Sequence, residues 1–104
     1  MKQALRARGA ISYREIRREF GNGDEKAGKV LLEDIALRLR HARSKHPVFA
    51  ASREEAVDVI GAEWAEIAQA VEQNEGPERE RYETIDTIAT CVRKANGEDR
   101  KAAP

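Results

Sequence analysis

Four carboxylates are the residues of this chain best placed to do chemistry. Glu63 and Glu66 stand three apart in Glu63-Trp64-Ala65-Glu66, and Glu83 and Asp86 repeat the spacing in Glu83-Thr84-Ile85-Asp86. Side chains at i and i+3 are neighbours on a helix, so each pair can converge on one point. No His or Cys stands beside them. An all-oxygen donor set selects hard cations: Mg²⁺ or Mn²⁺ first, then Ca²⁺, with Zn²⁺ disfavoured. Without a cation the cluster repels itself, because close like charges resist joint ionisation. With Mg²⁺ it would recruit phosphate oxygens, acidify a water and offset charge on a transferring phosphoryl group. Thr90 and Arg93 follow Asp86 by four and seven residues on the same side of the helix, where Arg93 could hold a phosphate.

Helices must carry these pairs, and the sequence predicts four of them. Ser12-Tyr13-Arg14-Glu15 has the spacing of a capping box, with Ile11 and Ile16 as its hydrophobic staple. Gly21 is the expected left-handed stop, giving a short helix over 12–20. The second helix is expected from Asp24 to about Lys45, with an apolar stripe of Ala27, Leu31, Leu32, Ile35, Leu39 and Ala42. Gly28 interrupts that stripe at a cost of about 1 kcal/mol relative to Ala. Pro47 follows the second helix, and Ser52-Arg53-Glu54-Glu55 opens the third. Val57, Ile60, Trp64, Ile67 and Val71 form its stripe, and Trp64 is expected in the core. Gly76-Pro77 breaks the chain before a fourth helix striped by Tyr82, Ile85, Ala89 and Val92 and closed by Asn96-Gly97. No segment alternates as a strand would. The expected fold class is all-α, a small helical bundle of about four helices with an antiparallel hairpin. A chain of 104 residues makes a thin core, so completion by homo-oligomerisation is expected.

The hairpin decides whether the acidic pairs meet. Counted from the turn near residue 76, their midpoints differ by roughly 4–5 Å along the axis. Glu66 and Asp86 come out nearly level, and packed helices lie about 8–10 Å apart. Glu63 sits on the flank of the apolar stripe between Ile60 and Ile67, a poor place for a purely solvated charge.

Composition bounds the rest. Lys+Arg and Asp+Glu are 19 each. Residues 1–50 carry 12 basic and 6 acidic residues, whereas 51–104 carry 7 and 13, so a neutral total hides a dipolar chain. Apolar content of 40% argues against a disordered polyelectrolyte, and 1 Cys against a disulfide scaffold. Cys91 is read as a small packing residue. No transmembrane run and no apolar signal core are present, so a cytoplasmic location is expected. His41 and His46 have no partner at metal spacing, and helix-end or solvent roles are expected for them.

The spacing Glu63-x-x-Glu66, about twenty residues, then Glu83-x-x-Asp86 resembles the metal motif of the MazG-like all-α nucleoside triphosphate pyrophosphohydrolases. The stretch KHPVFAASREEAVDVIGAEWAEIAQAV is similar to small members of that family, and the resemblance covers residues 24–96. It implies Mg²⁺, or Mn²⁺, on Glu63, Glu66, Glu83 and Asp86, with Glu63 and Glu66 also catalytic. It implies cleavage of a nucleoside triphosphate to the monophosphate and pyrophosphate, in a homodimer or dimer of dimers. Arg93, Lys94 and Lys45 are the candidate phosphate-binding residues. Ala62 stands where the family often has a further Glu. The implied organisation is a basic arm with a short helix over 1–23, the helical domain over 24–96, and a flexible tail over 97–104.

Two other classes of function fit parts of the chain. A non-catalytic helical interaction protein needs only the bundle. DNA binding would use SYREIRREFGNGDEKAGKV, residues 12–30, as a helix-turn-helix with Lys26 and Lys29 toward phosphate. Against it, Arg17 stands where a small buried residue is usual, and Asp24 and Glu25 would face the groove.

Overall fold

The computed structural model describes residues 9–100. The first eight residues of the expected basic arm and the last four of the expected tail lie outside them. Among the described residues there are four helices and no strand, the all-α class expected. They are α1 (Tyr13–Phe20), α2 (Glu25–Lys45), α3 (Arg53–Glu72) and α4 (Pro77–Ala95), followed by a single 3₁₀ turn (Glu98–Arg100). No helix of the described residues is long and apolar enough to cross a membrane. The described residues divide into two compact units, 9–33 and 34–100, with the boundary inside α2.

In the first unit α1 begins with the expected capping box. The Glu15 amide donates to Ser12 Oγ at 3.1 Å, and the Ser12 amide donates to Glu15 Oε1 at 3.2 Å. The Ser12 hydroxyl and then the Ser12 amide, both beside the Glu15 carboxyl, hold it below its ordinary pKa. The helix end corrects one expectation. Gly21 has a φ of −101°, and the left-handed residue is Asn22, with a φ of 53°. Gly21 is instead required by crowding, because a Cβ there would lie 1.8 Å from the Asp24 carbonyl oxygen. Asp24 then caps α2 by accepting from the amides of Lys26 and Ala27. Gly28 is explained the same way: a Cβ at this position would stand 1.6 Å from the Arg17 carbonyl oxygen. The two helices thus touch main chain to main chain. Glu25 fastens them further by accepting from Arg14 and Arg17.

In the second unit α3 and α4 form the expected hairpin. Its turn is a Schellman closure: the Glu75 amide donates to Ala70 and the Asn74 amide to Val71, with Asn74 left-handed at a φ of 55°. Gly76, at a φ of 102°, then leads into Pro77 at the first position of α4. The buried apolar residues are two isoleucines, Ile35 and Ile85, and four alanines, Ala50, Ala56, Ala70 and Ala89. Polar contacts join the part of α2 in this unit to α4, with Arg81 Nη1 on Asp34 at 2.8 Å, and to the 3₁₀ turn, with Arg43 Nη2 on Glu98 at 2.6 Å.

The expected core stripe of α3 is the second correction. Trp64 is 63% exposed, and Val57 and Val71 are exposed as well. The face packed on α4 is the neighbouring one, where Ala56 and Ala70 are buried and Glu63 lies between them in sequence. Glu63 shares this face with Ala56 and Ala70 and is half-buried there.

Candidate metal centre

Glu63 and Glu66 project from the middle of α3, and Asp86 from the middle of α4. One carboxylate oxygen from each lies within 4.8 Å of the other two. Oxygens sharing a single Ca²⁺ at about 2.5 Å can be up to about 5 Å apart, and those sharing Mg²⁺ up to about 4.2 Å. The three acids therefore stand at the spacing of a Ca²⁺ site and need a closure of well under about 1 Å for Mg²⁺.

The donor chemistry fits a cation. Glu63 Oε2 is buried and has no hydrogen-bond partner. Burial is the main cause that raises the Glu63 pKa to about 7, and the charges of Asp86, Glu66 and Glu83 push it the same way, with Arg38 opposing. A group in this position lacks only a positive charge. Asp86 is half-buried and already has one: Arg38 Nε and Nη2 both donate to Asp86 Oδ1, at 2.9 and 2.6 Å. The Arg38 guanidinium also lies 4.9 Å from the Tyr82 ring centroid, which fixes its plane. Sequence spacing gave no sign of this pairing, because Arg38 is one of many arginines and lies 48 residues from Asp86.

Glu83, the fourth expected ligand, is placed differently. It is 4% exposed, and Arg79 Nη2 stands 2.9 Å from its Oε2. Its pKa is raised by burial first and by the neighbouring Glu66 second, with Arg79 acting against both. It lies beside Glu66 but is not one of the three acids whose oxygens converge.

A cavity of about 380 Å³ opens beside Glu63 and Asp86. Its basic lining comes from Arg38, His41, Lys45, His46 and Arg93, and its apolar lining from Val48, Phe49 and Val59. Lys45, His41 and His46 are exposed at its rim. Arg93 is 3% exposed and committed elsewhere: its Nε donates to Glu98 at 2.8 Å, its Nη2 to the Pro47 carbonyl at 3.4 Å, and it lies over Phe49. Lys94 points to Asp99, Nζ to Oδ2 at 2.9 Å. Of the three expected phosphate-binding residues, Lys45 is the one whose charge faces water beside the acids. Thr90 also lines the cavity, and its hydroxyl donates to the Asp86 carbonyl. Cys91 is exposed.

The chain matches no family model, no curated protein and no solved structure.

Proposed function

We propose that the protein is a Mg²⁺-dependent hydrolase that cleaves a nucleoside triphosphate to the monophosphate and pyrophosphate. The observation that carries this reading is the convergence of Glu63, Glu66 and Asp86 at the edge of a cavity that Lys45 also lines. An anionic ligand has a cation to meet there, and a divalent ion has oxygens. The choice of reaction rests on the resemblance of the carboxylate spacing to the MazG-like pattern.

A bound divalent ion would supply positive charge to phosphate oxygens and acidify a water. Glu66 and Asp86 would hold it, with Glu83 close to Glu66 as a reserve of negative charge. Glu63, whose pKa lies near neutrality, is the carboxylate suited to take the proton from the attacking water. The water oxygen forms a bond to the α-phosphorus. The bond from that phosphorus to the oxygen bridging the α- and β-phosphates breaks, and pyrophosphate leaves with the electron pair. Lys45 would meet the charge of the phosphate chain, His41 and His46 line the cavity beside it, and Phe49 and Val48 give it an apolar wall for the nucleoside.

The test is release of pyrophosphate from a panel of ribo- and deoxynucleoside triphosphates with Mg²⁺ or Mn²⁺. Turnover should require the metal and fall at least about a hundredfold in Asp86→Ala and Glu66→Ala. Absence of turnover with every nucleotide and either metal would remove the proposal.

A further inference from the structure

The ion pair of Arg38 with Asp86 occupies only part of the guanidinium. An arginine carries five N–H donors in a rigid fork and accepts no hydrogen bond. Two of the five, on Nε and Nη2, go to Asp86 Oδ1. Among the described residues the remaining three have no acceptor. The Arg38 side chain is 26% exposed and lines the cavity together with Glu63, Asp86 and Lys45. The Tyr82 ring, 4.9 Å from the guanidinium carbon, backs it on one face. Arg38 therefore has donors to spare at the cavity wall.

What Arg38 lacks is spare charge. Paired with Asp86 it is neutralised, and its charge also acts on Glu63 against Asp86, Glu66 and Glu83. A phosphate chain that drew Arg38 away would leave Asp86 bare among acids and would add further negative charge beside them. Once a divalent ion neutralises Asp86, the balance reverses. Two cations on one carboxylate repel each other, and the guanidinium is left with a whole charge and a planar fork that matches phosphate oxygens. The other cations of the cavity lack this dependence. Lys45 is exposed and unpaired among the described residues, so it meets an anion with or without an ion. Arg93 stays bonded to Glu98 and to the Pro47 carbonyl.

We infer, resting on the metal site proposed above, that Arg38 is a phosphate-binding residue whose charge reaches an anion only when a divalent ion occupies the acids. Ion and phosphate chain then bind as a pair, each raising the affinity for the other through this one side chain.

Calorimetric titration of the full chain with inorganic tripolyphosphate tests it, in chelator and in saturating Mn²⁺, because this probe has the phosphate chemistry without a base. Arg38→Gln should weaken tripolyphosphate binding at least about tenfold in Mn²⁺, the weight of one charge-assisted hydrogen bond. In chelator it should leave the affinity unchanged. A measurement on the wild type needs no variant to fold. The Arg38 Nε resonance of isotope-labelled protein should move when tripolyphosphate is added to the Mg²⁺-loaded chain and stay in place when it is added in chelator. Equal losses in the two conditions, no loss in Mn²⁺, or a resonance that ignores tripolyphosphate in Mg²⁺ would each overturn the inference while the metal site stands. Absence of Mn²⁺ binding would remove both together. The expected binding pattern without turnover of any nucleotide would remove the hydrolase and leave Arg38 in the role assigned.

Discussion

Arg38 sets two donors on one oxygen of Asp86, Nε at 2.9 Å and Nη2 at 2.6 Å. The guanidinium therefore stands where a divalent ion would otherwise neutralise the carboxylate. Both groups are largely shielded from water, so the pair is stronger than a surface ion pair.

Removing this competitor should help the ion. Arg38→Gln is expected to tighten Mn²⁺ binding by about tenfold, the weight of one charge-assisted hydrogen bond. Calorimetric titration without nucleotide reads it directly. An unchanged or weaker affinity would place the ion away from Asp86.

Glu63 gives the fold a pH dependence of defined sign. Its folded pKa of about 7 lies above its ordinary 4.5, so between these values the folded state holds a proton that the unfolded chain has lost. Its contribution to stability is complete below about 4.5 and is lost as pH rises through about 7. Glu63→Gln should therefore melt at a higher temperature than the wild type at pH 8, and the two should converge near pH 4.5. Addition of Mg²⁺ at pH 8 should raise the melting temperature of both, since Glu66 and Asp86 remain to hold the ion. Parallel melting curves across this window would show that Glu63 ionises as freely as an exposed acid.

Gly28→Ala separates local preference from packing. Helix propensity alone would stabilise α2 by about 1 kcal/mol. Contact with the Arg17 carbonyl reverses the sign, because backbone cannot move aside as a side chain can. Amide exchange over residues 13–20 should accelerate at least about tenfold while exchange in α3 and α4 is retained. Slower exchange in α1 would refute the close approach.

Glu98 holds the C-terminal turn to the rest of its unit. It accepts from Arg93 at 2.8 Å and from Arg43 at 2.6 Å, and these partners hold its pKa below the ordinary carboxylate value. Glu98→Ala leaves the buried Arg93 with only the Pro47 carbonyl, a loss of about 3 kcal/mol. Urea denaturation at pH 7 measures it, and a change below about 1 kcal/mol would show that the turn is dispensable.

Much of the fold was legible in the residues because its signals are local. The Ser12 and Ser52 caps, Gly76-Pro77 and Asn96-Gly97 mark helix ends through bonds made within a few residues. The approach of Glu63, Glu66 and Asp86 could be read from rise per residue and one short turn. What could not be read depends on which side of a helix meets its neighbour. α3 has two adjacent faces that are both apolar enough to be a core, and the larger side chains argued for the wrong one. Trp64 is exposed while Ala56 and Ala70, a quarter turn away, are buried. Glu83 and Arg93 were expected at the cavity with their charges available, yet each is paired, through Arg79 and Glu98, by contacts that helix spacing alone does not foretell.

The alanine packing between α3 and α4 has a further consequence. Ala56, Ala70 and Ala89 are all buried, so a larger side chain at any of them needs room that the packing does not offer. A leucine at position 70 would act as a wedge, opening the hairpin and parting the acids while leaving each one chemically intact. Any ion affinity of the cluster would thus be tuned from beneath, by methyl groups that never meet the ion.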